Sequence, residues 1–75
     1  MRALMYSKPQ CGYCKMAADL LAENDIEFDI ILVGKDCSVA ELQEVVGHPV
    51  TTVPQIFIND KYVGGYSELV EKLVF

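Results

Sequence analysis

Two cysteines with two residues between them, Cys11-Gly12-Tyr13-Cys14, stand between a short apolar stretch and a helical one. No other feature constrains the chain as strongly. A strand that runs into a helix through a cysteine puts the first sulfur at the helix N-terminus. The second sulfur then follows one turn later on the same side. Three chemistries use such a pair: half of a zinc site, a structural disulfide, or a dithiol that opens and closes.

The other residues weigh against the first two. A structural zinc site takes four ligands, usually two such pairs or one pair with two histidines. Here only Cys37 and His48 remain, and the set Cys11, Cys14, Cys37 and His48 has no familiar spacing. A disulfide closed over two intervening residues constrains little of the unfolded chain. Three cysteines are also an odd count for a disulfide framework. The stretch MRALMYSKPQ has an apolar run broken by Ser7, Lys8 and Pro9. It falls short of the roughly 7–15 apolar residues of a secretory segment and the roughly 20 of a membrane span. A cytoplasmic location is expected, where structural disulfides are rare. The redox pair leads, with a structural zinc module kept as an alternative.

Its chemistry follows from position. Free backbone N–H groups and the dipole at a helix N-terminus favour a thiolate. A thiol with a pKa of about 8.5 is only about 3% ionised at pH 7, and one lowered to about 6 is about 90% ionised. Lys8 and Lys15 bracket the motif and act in the same direction. Cys11 is therefore the candidate nucleophile and Cys14 the candidate resolving thiol, with no metal site expected.

Seventy-five residues, 52% of them hydrophobic and 23% charged, suit one globular domain over residues 1–75. Its core is small, near the size at which cores alone give thin stability. A net charge of −5 argues against a nucleic-acid partner. Residues 2–7 read as a buried strand, followed by a helix to about Asn24 with Cys14, Ala17, Leu20 and Leu21 on one face. Residues 27–33 read as a second strand. Ser38 with Glu41 forms a capping box that opens a helix ending at Gly47. Residues 55–58 and 61–63 form a hairpin around Asn59-Asp60. After the break at Gly64-Gly65, Ser67 is expected to cap a last helix carrying Leu69, Val70, Leu73 and Val74. The order is β-α-β-α-β-β-α, an α/β domain whose first β-α-β should be a right-handed crossover.

With Cys11-Gly12-Tyr13-Cys14 behind a strand, Thr52-Val53-Pro54 before the hairpin and Gly64-Gly65 before the last helix, the chain resembles a dithiol glutaredoxin along essentially its whole length. The resemblance implies a thioredoxin-like fold with a mixed four-stranded sheet flanked by three helices. It implies reduction of protein disulfides and glutathione mixed disulfides, with glutathione as co-substrate and no tightly bound cofactor. Ribonucleotide reductase is among the protein substrates it suggests, and a monomer with no membrane partner is expected. Val53-Pro54 matches the family's cis-proline bond, with the Val53 backbone pairing to glutathione as an added strand pairs to an edge. Lys8 matches the basic position that holds one glutathione carboxylate, and Tyr13 the aromatic lining the glutathione groove. Tyr66, Ser67 and Glu68 match the site of the other carboxylate, where Glu68 is the candidate for the ligand's amino group.

Gly12 departs from the family's commonest motif, which has proline there. Some relatives with a small residue at that position hold a [2Fe–2S] cluster between two subunits, so a glutathione-ligated dimeric cluster carrier is one alternative. A redoxin fed by thioredoxin reductase is another. Lys35, Cys37 and His48 match nothing catalytic in the family.

Overall fold

The computed structural model of the protein describes residues 1–73. Its elements run β1 (Arg2–Ser7), α1 (Gly12–Glu23), β2 (Glu27–Leu32), α2 (Val39–Val46), β3 (Gln55–Ile58), β4 (Lys61–Gly64) and α3 (Tyr66–Leu73). The strands form one mixed sheet in the order β2-β1-β3-β4. β1 and β2 pair in parallel, as a strand–helix–strand unit requires. The pairs β1–β3 and β3–β4 are antiparallel.

Alternation along the strands divides the interior in two. Ala3 and Met5 of β1, with Ile56 and Ile58 of β3, meet Ala17 and Leu21 of α1 and Leu69 of α3. On the opposite face Tyr6 packs with Val33, Leu42 of α2 and Val50, against half-buried Leu4 and Phe57. The first layer seats α1 and α3 side by side, so the start of α1 lies close to the start of α3.

Local chemistry explains most boundaries. Ser38 Oγ accepts from the Glu41 N–H at 3.1 Å while the Glu41 carboxylate accepts from the Ser38 N–H at 3.0 Å, and Gly47 ends α2 at φ 91°. Asn59 and Asp60 both take positive φ, at 51° and 66°, as a two-residue hairpin turn requires.

Three boundaries differ from expectation. Strand β2 ends at Leu32, and Val33 instead forms an isolated bridge to Cys37. Gly64 closes β4 rather than breaking the chain. The third concerns α3, which begins at Tyr66, so Ser67 lies inside its first turn and is not the cap. Capping falls to Glu68, whose Oε1 accepts from the Gly65 N–H at 2.8 Å. A glycine cap offers no side chain, so the glutamate three residues on serves the orphan donor from its own side. Val74 lies outside the described residues.

That carboxylate also explains Gly64. At φ +123° a side chain is strained, and a Cβ there would sit 2.8 Å from Glu68 Cγ and Oε1. Gly64→Ala is therefore expected to destabilise the fold by about 1–3 kcal/mol. A thermal melt should show this as a fall of several degrees in Tm.

Candidate active site

Cys11 is the N-cap of α1, in an extended conformation at φ −103° and ψ 111°. Its Sγ accepts from the Cys14 N–H at 3.2 Å, taking the place a serine oxygen usually fills. The same thiol donates to the Val53 carbonyl at 3.8 Å. One sulfur thus joins the helix terminus to the loop before β3. Both thiols of the motif are free, Cys11 half-buried and Cys14 buried.

The two differ in burial. Burial pushes the Cys14 thiol up from its ordinary range, and its bond to Cys11 adds to that. The Ser7 hydroxyl and the Lys8 backbone act in the opposite direction. Cys14 therefore waits as a thiol beneath Cys11, which alone of the pair reaches the surface.

Gly12 follows as the first residue of α1 and is exposed; a Cβ built on it would meet nothing within 4 Å. Cys11 already holds the extended conformation that a residue before proline prefers, and proline is favoured at the first helical position. Gly12→Pro should therefore raise stability by about 0.4–1 kcal/mol, read as a higher denaturation midpoint with an unchanged slope.

The Val53–Pro54 peptide is cis. Beside it opens a cleft of about 200 Å³ lined by Tyr13, Thr52, Val53, Pro54, Gly65, Tyr66, Ser67 and Glu68. The exposed Tyr13 ring stands 5.8 Å from that of Tyr66, so the two form one wall. Seven of the residues singled out in sequence thus line a single cleft next to Cys11. Lys8 lies outside it, in an adjoining cleft of about 240 Å³ that shares Thr52 and Val53. Lys8 and Lys15 also flank the cysteines in an open hollow formed with Cys11, Gly12 and Cys14. Glu68 lines the first cleft with one oxygen already engaged by Gly65.

The zinc set does not assemble. Among the described residues no three of His, Cys, Asp and Glu converge as metal ligands. Cys37 bridges to Val33 ahead of α2, and burial with Glu41 and Asp36 pushes its thiol up. His48 is exposed, with its ring 5.7 Å from that of Tyr62.

Two polar residues at the site were not singled out by sequence. Ser7, at the end of β1, is 5% exposed and lies against Cys14. Gln55 is also 5% exposed, and its Nε2 donates to the Thr52 carbonyl at 2.9 Å. The available signal was a polar residue closing or opening an otherwise apolar strand.

The glutaredoxin family model matches residues 3–63. Glutaredoxin 1 of Salmonella typhimurium is 34% identical over 74 residues, covering 91% of this chain and 85% of its own. The hybrid peroxiredoxin hyPrx5 of Haemophilus influenzae is 37% identical over 65 residues, 87% of this chain but only 26% of that protein. The crystal structure of a buckwheat glutaredoxin–glutathione complex superposes with a TM-score of 0.78 at 30% identity, over 93% of this chain and 66% of the other. A strand–cysteine–helix unit, a cis-proline loop facing it and the family match along the chain lead to one conclusion: this chain belongs to the glutaredoxin family and is a disulfide oxidoreductase with a thioredoxin-like fold.

Proposed function

We propose that the chain is a glutathione-dependent dithiol oxidoreductase with Cys11 as nucleophile and Cys14 as resolving thiol. The observation that carries this reading is the pair of adjoining clefts that share Thr52 and Val53 beside Cys11. Lys8 stands at one end, and Tyr66, Ser67 and Glu68 at the other. A tripeptide with a carboxylate at each end fits that layout. One end meets the Lys8 ammonium, the other the first-turn N–H groups of α3 and the Ser67 hydroxyl. The Val53 N–H and C=O offer the middle of the ligand a strand edge. The buckwheat relative, whose structure is a glutathione complex, supports the same reading.

The steps balance as thiol–disulfide exchange. The Cys11 thiolate attacks the glutathione sulfur of a mixed disulfide, forming Cys11–S–S–glutathione and expelling the protein thiolate, which takes up a proton. A second glutathione thiolate then attacks the glutathione sulfur, releasing glutathione disulfide and Cys11. With a protein disulfide, Cys11 bonds one substrate sulfur and releases the other. Cys14, once deprotonated, then attacks Cys11, freeing the substrate thiol and leaving a Cys11–Cys14 disulfide. Two glutathiones reduce that pair and leave as one glutathione disulfide. A protein disulfide such as that of ribonucleotide reductase is a substrate of the dithiol route.

The protein acts as a single-domain monomer in the cytoplasm, where the glutathione pool supplies electrons. No described helix is long and apolar enough to cross a membrane. The test is steady-state reduction of a glutathione mixed disulfide coupled to NADPH, run with glutathione reductase and separately with thioredoxin reductase. Turnover with the first pairing supports the proposal. Turnover only with thioredoxin reductase would overturn the glutathione assignment.

A further inference from the structure

Gln55 is a buried amide whose hydrogen bonds are all made to the loop and strand that flank the cleft. Its Oε1 accepts from the Tyr62 hydroxyl, and its Nε2 donates to the Thr52 carbonyl at 2.9 Å and to Thr52 Oγ1 at 3.4 Å. The orientation is not arbitrary, because a carbonyl only accepts and the NH2 must therefore face Thr52. Tyr62 is held in turn by packing, its ring 5.3 Å from that of Phe57 and 5.7 Å from that of His48. The chain of contacts runs from an aromatic cluster on β3 and β4, through Gln55, to the loop carrying Val53.

The consequence lies in the geometry of one peptide unit. The Thr52 carbonyl and the Val53 N–H belong to the same planar group and point in opposite directions. With the carbonyl drawn back to Gln55, the N–H is turned the other way, and among the described residues no acceptor pairs with it. The Val53 carbonyl meets Cys11 Sγ. The Val53 N–H is therefore left without a partner among the described residues, beside the cleft that Val53 lines, while its carbonyl already accepts from Cys11.

We infer that Gln55 is a positioning residue that sets the peptide plane through which the cleft hydrogen-bonds the substrate's backbone. It touches no reacting atom and acts through Thr52. The inference rests on the glutathione reading and adds to it the side chain that orients the Thr52–Val53 peptide for that backbone contact.

The replacement Gln55→Glu keeps shape and length and, assayed at a pH where the carboxyl is ionised, removes the donor, so the Thr52 carbonyl faces another acceptor. It should lower kcat/KM for a glutathione mixed disulfide by about tenfold, with nearly all of the loss in KM. Alkylation of Cys11 by iodoacetamide, which needs no peptide recognition, should keep its wild-type rate. If the buried acid prevents folding, Gln55→Met is uncharged, of similar length and equally without a donor, and should show the same KM-selective loss. A folded variant with wild-type KM would overturn the role of Gln55. So would a loss shared equally by kcat and alkylation, which would mark a generally loosened site. Wild-type protein that turns over no glutathione mixed disulfide would instead overturn the glutathione reading, and this inference with it.

Discussion

The variant Cys11→Ser is expected to lose reduction of both glutathione mixed disulfides and protein disulfides, by at least about a thousandfold. A hydroxyl at this position does not ionise near neutral pH, and an oxygen does not enter thiol–disulfide exchange. The fold should tolerate the change. Cys11 is the N-cap of α1, where its sulfur accepts the Cys14 N–H, and serine is among the preferred residues at such a position. Thermal stability is thus expected to match or slightly exceed that of the wild type. The coupled assay and a melt on the same sample separate the two effects. Retained turnover above about a tenth of wild type in a folded Cys11→Ser protein would remove Cys11 from the mechanism.

Cys14→Ser divides the two activities instead. In the proposed mechanism, reduction of a glutathione mixed disulfide needs only Cys11 and a second glutathione, so it should persist within a fewfold of wild type. Reduction of a protein disulfide should fall by about a hundredfold or more, because no internal thiol frees the trapped substrate. Burial raises the Cys14 thiol, first by desolvation and then through Cys11. A raised value means that Cys14 is protonated at neutral pH, and its attacking thiolate becomes more abundant as pH rises. The wild-type protein-disulfide activity should therefore climb with pH more steeply than the mixed-disulfide activity, measured as the ratio of the two rates. A flat ratio, or a Cys14→Ser variant that loses both activities equally, would contradict this division of labour.

Much of this was legible in sequence, for local reasons. The Ser38–Glu41 box and the Asn59-Asp60 turn involve partners within a few residues, so composition reports them directly. The Cys11 position follows from a strand meeting a helix. The cis bond at Pro54 was reached by resemblance, since the neighbouring residues alone favour a trans proline. The cap of α3 was misread at Ser67 because its actual cap position, Gly65, has no side chain, and Glu68 reaches back from within the helix. The Gln55–Tyr62 contact was beyond local reading, although Thr52 lies only three residues from Gln55. It depends on how β3 pairs with β4, with a register irregularity between Ile56 and Phe57.

The clefts beside Cys11 are the centre of the account, and trapping the ligand there tests them most directly. Cys14→Ser protein treated with glutathione disulfide should stop at a Cys11–glutathione adduct, whose amide chemical shifts can be compared with those of the reduced variant by NMR. The largest changes are expected at Thr52 and Val53, at Tyr66, Ser67 and Glu68, and at Lys8. An adduct at Cys11 whose shifts instead cluster along α2, or in the hollow with Lys15, leaving Val53 and Ser67 unmoved, would contradict the proposed groove.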